Sequence, residues 1–134
     1  MVLLGVTGSI AAYKAAEIAR ALIRGGVRVR VVMTPAAERF VTPLTFEALT
    51  GSPVLTERSA SGPEISHIAV AREAAALLIA PATAHTIAKM ALGLADNLLS
   101  EIALATTTPV FVAPAMNVEM YRHPATQANI ATLR

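Results

Sequence analysis

The sequence predicts an α/β fold in which helices cover both faces of a parallel β-sheet. Short, continuously apolar segments alternate along the chain with longer segments that have helical periodicity or helix-capping residues. Strands that are buried on both faces have continuous apolar runs, whereas amphipathic helices repeat their apolar positions every 3.6 residues. With 134 residues, the chain is long enough for one domain with a sizeable core.

The first strand, turn and helix are the most clearly marked. The apolar run Val2–Val6 predicts a buried strand, and small turn residues follow it directly. In residues 11–24, apolar side chains recur at i, i+3, i+4 and i+7, and charged side chains occupy the opposite stripe. This pattern predicts an amphipathic helix, which Gly25 and Gly26 end.

The alternation continues through the rest of the chain. Residues 27–33 predict a strand with one face partly solvated at its start, because valine and arginine alternate there. Thr34 and Thr42 each precede a proline, as a helix N-cap often does, which predicts two short helices. Further strands are predicted at 77–80 and 110–113, and further helices at 83–92, 96–105 and 125–133. This order is typical of a single Rossmann-like (flavodoxin-like) domain.

One segment has the composition of a loop. Residues 52–63 contain two prolines, one glycine and three serines. Residues of these types favour turns and irregular backbone. The sequence therefore predicts an exposed, mobile loop here, too short to link two domains.

Composition excludes several functions. The 11 basic and 9 acidic residues form no runs, so we expect no nucleic-acid or anionic-lipid partner. The sequence has no cysteine and no histidine pair with metal-ligand spacing, so no metal site is predicted. The apolar stretches at 1–13 and 102–118 are interrupted by turn residues, which argues against membrane spans. Cytoplasmic location is the resulting expectation.

The first turn is a candidate anion site. Gly8, Ser9 and Ile10 lie between the first strand and the start of the first helix. Free backbone N–H groups and the helix dipole favour a phosphate at such a position. The spacing fits neither G-x-G-x-x-G nor the P-loop, so a tight turn without a ligand remains the alternative.

Two polar residues are candidates for chemistry, and each has a structural alternative. Asn117 follows the last predicted strand, where its side chain either caps a helix or donates its amide to a carboxylate. His67 is either a solvated loop residue or a base at the edge of a pocket. For His85 and His123 a structural role is favoured, and Met120 has the spacing of a core residue.

Five parts of the sequence together resemble the flavin-dependent cysteine decarboxylases. The resemblance covers essentially the whole chain, and the Pro-x-Met-Asn-x-x-Met motif is its most specific part, since related flavin prenyltransferases lack it. The five parts are residues 8–14 (GSIAAYK), His67, and residues 80–84 (APATA), 95–99 (ADNLL) and 114–120 (PAMNVEM).

The resemblance implies FMN as cofactor and a role for each matching residue. It implies that the FMN phosphate lies on Gly8, Ser9 and Ile10, with help from Thr34. Further implied contacts, which line the isoalloxazine ring, come from Phe40, Pro81, Ala82, Thr83, Ala84 and Ala115. The implied catalytic residues are His67, as a base, and Asn117, which binds the substrate carboxylate beside Met120.

The activity that the resemblance implies is FMN-dependent oxidative decarboxylation of 4′-phosphopantothenoylcysteine towards 4′-phosphopantetheine in coenzyme A biosynthesis. The thiol is oxidised first, and carbon dioxide then leaves readily. Two alternatives remain open: a peptidyl-cysteine decarboxylase, or a non-catalytic flavoprotein-like protein that binds and regulates a partner.

The resemblance also implies an assembly and a longer relative. Homotrimers, which often form dodecamers, are implied, with flavin sites shared between neighbouring subunits. Family members that make phosphopantetheine carry a substrate clamp with a reducing cysteine, and commonly a ligase domain, downstream of the Asn117 motif. Residues 1–134 are therefore expected to form the FMN-binding domain without the clamp and the ligase.

Overall fold

A single parallel sheet forms the centre of the molecule. The computed structural model describes residues 1–60 and 66–134. The sheet has the order β2-β1-β3-β4, and all three strand pairs are parallel. The strands are β1 (Val2–Val6), β2 (Val29–Met33), β3 (Ala76–Ala82) and β4 (Val110–Pro114). The predicted α/β fold with a parallel sheet is confirmed.

Helices connect the strands. Within the described residues they are α1 (Ala12–Arg24), α2 (Pro43–Thr50), α3 (Glu57–Ala60), α4 (His67–Glu73), α5 (Ala84–Leu92), α6 (Leu98–Ala105), α7 (Val118–Arg122) and α8 (Pro124–Leu133). A short 3-10 helix, Ala37–Arg39, follows β2. Parallel strands need such crossover connections, because a tight hairpin joins only antiparallel neighbours.

The core has two layers, one on each face of the sheet. Leu3 and Ile79 point to the face that α4, α5 and α6 cover. Leu4 and Val6 point to the opposite face, where α1 and α2 pack. Alternate residues of a strand point to opposite faces, so the continuous apolar runs of β1 and β3 fill both layers. The predicted covering of both faces is confirmed.

Gly5 lets α6 pack directly on the middle of the sheet. A Cβ atom on this glycine would lie 2.7 Å from Leu99 Cδ1 and 3.2 Å from Leu99 Cδ2. Both Leu99 and its neighbour Leu98 are buried. A glycine in a strand often marks such a close approach, and here it sets the height of α6 above β1.

The prediction of an exposed loop at residues 52–63 is wrong for the segment around Leu55. Val54 and Leu55 are buried, and Leu55 pairs with Val32 as an added parallel bridge beside β2. The Leu55 amide donates to Val31 O at 2.9 Å, and Leu55 O accepts from the Met33 amide at 2.9 Å. The apolar pair extends the sheet edge, which turn-residue composition does not reveal. Residues 61–63 lie outside the described residues.

Several predicted boundaries also change. The helix predicted after Thr34 is only the 3-10 turn, and the Thr42 side chain makes no capping hydrogen bond to α2. The helix predicted from residue 96 begins at Leu98, because Asn97 forms a capping box with Ser100. The strand predicted at 77–80 extends to Ala82, and α4 was not predicted.

The sequence predicts neither a membrane span nor a metal site, and both features were looked for in the described residues. No helix of residues 1–60 and 66–134 is long and apolar enough to cross a membrane. In the same ranges no three His, Asp or Glu side chains are grouped as a metal site would require. Residues 1–13 form β1, the first turn and the start of α1.

Candidate functional site

The turns that follow β1, β2 and β3 border one cavity at the carboxyl edge of the sheet. Its volume is about 500 Å³, within the usual range for small-molecule sites. Open α/β sheets bind ligands at this edge. The lining residues are Gly8, Thr34, Pro35, Ala36, Thr83, Ala84, His85, Thr86, Lys89, Asp96, Asn97 and Met120.

The first turn presents free backbone donors. Among the described residues, the amide N–H groups of Gly8 and Ile10 have no hydrogen-bond acceptor. The Ser9 amide donates to Thr7 O at 2.9 Å, and Ser9 Oγ accepts from the Ala11 amide at 3.1 Å. No side chain caps α1, a helix of 13 residues. Free donors beside the positive end of a helix dipole form an anion site.

The turn after β2 lies against the first turn. A Cβ atom on Gly8 would lie only 2.5 Å from Ala36 Cβ and 3.0 Å from Ala36 C. Thr34 Oγ1 accepts from the Ala37 amide at 3.2 Å, and the described residues offer its hydroxyl proton no acceptor. The hydroxyl is therefore available to a phosphate, and Gly8 is required by the close approach of the two turns.

The connection between β3 and α5 forms the opposite wall. Thr83 caps α5, since its Oγ1 accepts from the Thr86 amide at 3.2 Å. Thr83 and Ala84 line the cavity, whereas Pro81 and Ala82 are buried behind it. Ala115 donates its amide to Ala82 O at 3.0 Å. Predicted ring contacts at Pro81, Ala82 and Ala115 therefore support the wall without lining it.

A charged pair that sequence analysis missed lies at the side of the cavity. Lys89 Nζ is 2.7 Å from Asp96 Oδ1, with the lysine side chain 12% exposed and the aspartate side chain 68% exposed. The hydrogen bond from Lys89 lowers the pKa of Asp96, and the positive charge of Lys89 adds to this. The left-handed turn at Gly93 folds the chain back at the end of α5, a reversal that residue spacing alone does not reveal.

His85 also lines this cavity. Its side chain is exposed, and its charge when protonated acts on nearby Asp96. The sequence offered only a position inside a predicted helix, so no signal distinguished it from a surface histidine.

Asn117 caps a helix and keeps a free donor. Its Oδ1 accepts from the Met120 amide at 2.8 Å, which confirms the capping interpretation for α7. Among the described residues its Nδ2 group has no acceptor, and the residue is exposed. Met120, whose spacing favoured the core, is instead 49% exposed and lines the cavity. Capping and substrate binding are therefore compatible roles for Asn117.

His67 lies apart from this cavity. It is the first residue of α4, after the cap residue Ser66. Its Nδ1 is 3.6 Å from Glu101 Oε2, and both side chains are 41% exposed. His67 is not among the residues that line the cavity. Within one chain the structure does not bring this predicted base together with the predicted cofactor residues.

Three further predicted cofactor residues lie outside the cavity lining as well. Ser9 turns its side chain to the first turn of α1, while Ile10 is 81% exposed and Phe40 is 53% exposed. The exposure of Ile10 and Phe40 is unfavourable for apolar side chains in an isolated subunit. Of the predicted set, the structure brings Gly8, Thr34, Thr83, Ala84 and Met120 to one cavity.

A parallel sheet with a donor-rich first turn and a cavity at its carboxyl edge defines a Rossmann-like protein that binds a phosphate-bearing cofactor. Residues 1–134 match the Flavoprotein family in full, and the chain belongs to that family. The predicted flavin-dependent class is confirmed.

Two similar proteins illustrate the likeness in sequence and in structure. The chain is 52% identical over 134 residues to the coenzyme A biosynthesis bifunctional protein CoaBC of Vibrio parahaemolyticus, covering 98% of this chain and 34% of that protein. It thus spans about a third of the length of such curated relatives. The FMN-dependent cysteine decarboxylase SpaF has a similar structure, with a TM-score of 0.91, 39% identity, and coverage of 99% and 78% of the two chains.

A third similar protein was solved with a ligand. It is a PPC decarboxylase mutant complexed with pantothenoylaminoethenethiol, with a TM-score of 0.87 and 36% identity. The match covers 98% of this chain and 75% of that one.

Proposed function

We propose that residues 1–134 form the FMN-binding domain of a decarboxylase that acts on 4′-phosphopantothenoylcysteine towards 4′-phosphopantetheine in the cytoplasm. The observation that carries the proposal is the cavity that is lined by Gly8, whose backbone amide is a free donor, and by Met120 of the Asn117 motif. The likeness to CoaBC supports the choice of substrate.

FMN fits the residues of this cavity. The free amides of the first turn and the Thr34 hydroxyl are donors, as a phosphate monoester requires. The wall of Thr83 and Ala84 offers small side chains that leave room for a flat ring system. Bound FMN would accept the two electrons that the cysteinyl group loses as its thiol is oxidised and its carboxylate leaves as carbon dioxide.

Asn117 is proposed to hold the substrate carboxylate. Its Oδ1 is committed to the Met120 amide at 2.8 Å, which fixes the orientation of the side-chain amide. Nδ2 then faces solvent as a fixed donor, and a carboxylate is an acceptor only. Holding the group that leaves as carbon dioxide orients the breaking bond.

His67 is proposed to accept the thiol proton. Glu101 Oε2 lies 3.6 Å from Nδ1, so Nε2 is the ring nitrogen left to meet the substrate. Because His67 does not line the cavity of its own chain, we infer that a neighbouring subunit brings the base to the flavin.

Exposed apolar side chains around the first turn and α2 support such an assembly. Ile10, Tyr13, Phe40 and Leu44 are between 53% and 81% exposed. Phe40 precedes α2, and Leu44 lies in its first turn. α2 packs on α1. Clusters of exposed large apolar residues commonly mark interfaces. We infer a homotrimer, or a dodecamer built from such trimers, in which neighbouring subunits share each site.

The proposal is tested by anaerobic mixing of the FMN-loaded protein with 4′-phosphopantothenoylcysteine while the oxidised flavin absorbance is followed. We expect bleaching with this substrate and none with its serine analogue, which has no thiol. His67→Asn is expected to bleach at least about a hundredfold more slowly, the usual contribution of a general base. Normal bleaching in that variant would remove His67 from the mechanism.

The same mixing experiment separates the alternatives. A peptide ending in cysteine that bleaches the flavin faster than the phosphopantothenoyl substrate would indicate a peptidyl-cysteine decarboxylase. Absence of bleaching with both substrates, despite bound FMN, would indicate a non-catalytic binding protein.

A further inference from the structure

Thr7 connects the two walls of the cofactor cavity. It lies between the end of β1 and Gly8 and is only 1% exposed. Its Oγ1 donates to Pro81 O at 2.6 Å and accepts from the Thr83 amide at 3.1 Å. Its carbonyl oxygen accepts from the Ser9 amide at 2.9 Å. One residue therefore contacts both the first turn and the connection between β3 and α5.

The side chain of Thr7 links β1 to the end of β3 beyond the last pair of their backbone ladder. The ladder between β1 and β3 ends at the pair Gly5 and Ile79. The register between β3 and β4 shifts after Ile79, and Pro81 has no amide N–H to donate. The Thr7 hydroxyl supplies the hydrogen bonds that hold this irregular end of β3 beside β1.

Two further threonines carry the connection into α5. Thr83 Oγ1 donates to Thr86 Oγ1 at 3.2 Å and accepts from the Thr86 amide at 3.2 Å. Thr83 and Thr86 line the cavity, whereas Thr7 lies behind its wall. A displacement of Thr7 would thus move the α5 wall relative to the first turn.

We propose that Thr7 is a positioning residue that fixes the distance between the phosphate side and the ring side of the flavin site. It touches neither cofactor nor substrate and acts through Pro81 and Thr83. The inference rests on the proposed FMN site and adds a residue to which neither the resemblance nor the cavity lining points.

The test compares Thr7→Val with Thr7→Ser in the full chain. Valine keeps the volume but loses both hydrogen bonds, whereas serine keeps the hydroxyl. At a temperature where circular dichroism shows each variant folded, we expect Thr7→Val to raise the Kd for FMN at least about tenfold, and Thr7→Ser to stay within about threefold of the wild type. The visible absorbance and circular dichroism of bound FMN should shift in the valine variant only.

Thr56→Val is the matched control. Thr56 is also buried, 7% exposed, and its Oγ1 accepts from the Ser59 amide at 3.4 Å, outside the cavity. It should keep the wild-type Kd for FMN. A valine variant at Thr7 with wild-type Kd and spectrum would overturn the inference, as would an equal loss at Thr56.

A measurement on the wild type keeps the inference testable if Thr7→Val does not fold. Amide hydrogen exchange should show the Thr83 N–H protected, both without and with FMN, because Thr7 Oγ1 accepts it. An unprotected Thr83 amide would overturn the inference. Failure of the wild type to bind FMN would instead contradict the proposed function.

Discussion

Single residues at this site combine a structural role with groups that remain free for a ligand. Asn117 uses Oδ1 as a helix cap and leaves Nδ2 free, so the two interpretations that its sequence position allowed are both physically available. Gly8 is needed because Ala36 approaches it to within a distance that excludes a side chain. Sequence alone presents such alternatives as exclusive, because it does not show which atoms are already engaged.

A methyl group at Gly8 should separate the two turns of the phosphate side. In Gly8→Ala the new Cβ would meet Ala36 at 2.5 Å, so the turn after β2 must move. We expect the Kd for FMN to rise at least about tenfold, measured by fluorescence titration. Gly25→Ala, where the nearest atom is Leu22 O at 3.3 Å, is the control, and equal effects of both changes would contradict this account.

Asn117→Asp separates capping from substrate binding. Aspartate caps helices as well as asparagine does, but it donates no hydrogen bond and repels a carboxylate. We expect a melting temperature close to that of the wild type, and flavin reduction by substrate at least about tenfold slower at equal substrate concentration. Unchanged reduction kinetics would show that Nδ2 does not bind the substrate.

At the scale of elements, apolar runs and helical periodicity were the reliable signals, whereas the predicted caps at Thr34 and Thr42 were not. β1, β3 and β4 were predicted from continuous apolar residues, and α1 from its stripe of alanine, isoleucine and leucine side chains. The edge segment around Leu55 and the helix α4 were not, because each is short and its pairing partner lies far away in sequence. The cavity members Lys89 and Asp96 were missed for a different reason, since their contact depends on the chain reversal at Gly93.

The ion pair between Lys89 on α5 and Asp96 in the following turn should lose its contribution to the stability of the fold at acid pH. The pKa of Asp96 is lowered below its ordinary value of 3.8 by the hydrogen bond from Lys89. A carboxyl with a lowered folded pKa stabilises the fold above its unfolded pKa and loses this effect as the pH falls through the folded pKa.

The measurement is a comparison of melting temperatures across pH. Near neutral pH the wild type should melt slightly above Asp96→Asn, and the difference should vanish in the acid range below 3.8. Glu119→Gln on α7 is the control, because its exposed carboxylate has no ion-pair partner among the described residues. A difference that persists at acid pH would contradict the assignment to this pair.

At the scale of the whole molecule, one subunit does not bring all the predicted site residues together. His67 lies beside Glu101 and away from the cavity, while apolar side chains such as Ile10 and Leu44 remain exposed. Helical periodicity and caps do not encode which surfaces meet a second copy, so the sharing of sites between subunits was implied by the resemblance alone and stays a prediction.

Mixing of inactive variants tests shared sites. His67→Asn and Asn117→Ala should each reduce flavin poorly alone. Subunits mixed after reversible dissociation should recover about a quarter of the wild-type bleaching amplitude, because a random quarter of shared sites combines two intact halves. Mixtures of each variant with itself are the control, and no recovery would place His67 and Asn117 of one site in the same subunit.

The central claim is that this chain carries out flavin-dependent decarboxylation of a cysteinyl substrate. The most direct measurement is an anaerobic single turnover of FMN-loaded protein with 4′-phosphopantothenoylcysteine, followed by mass spectrometry of the product. We predict one product molecule per reduced flavin, lighter than the substrate by carbon dioxide and two hydrogens. Recovery of unchanged substrate with oxidised flavin, or loss of hydrogen without carbon dioxide, would contradict the claim.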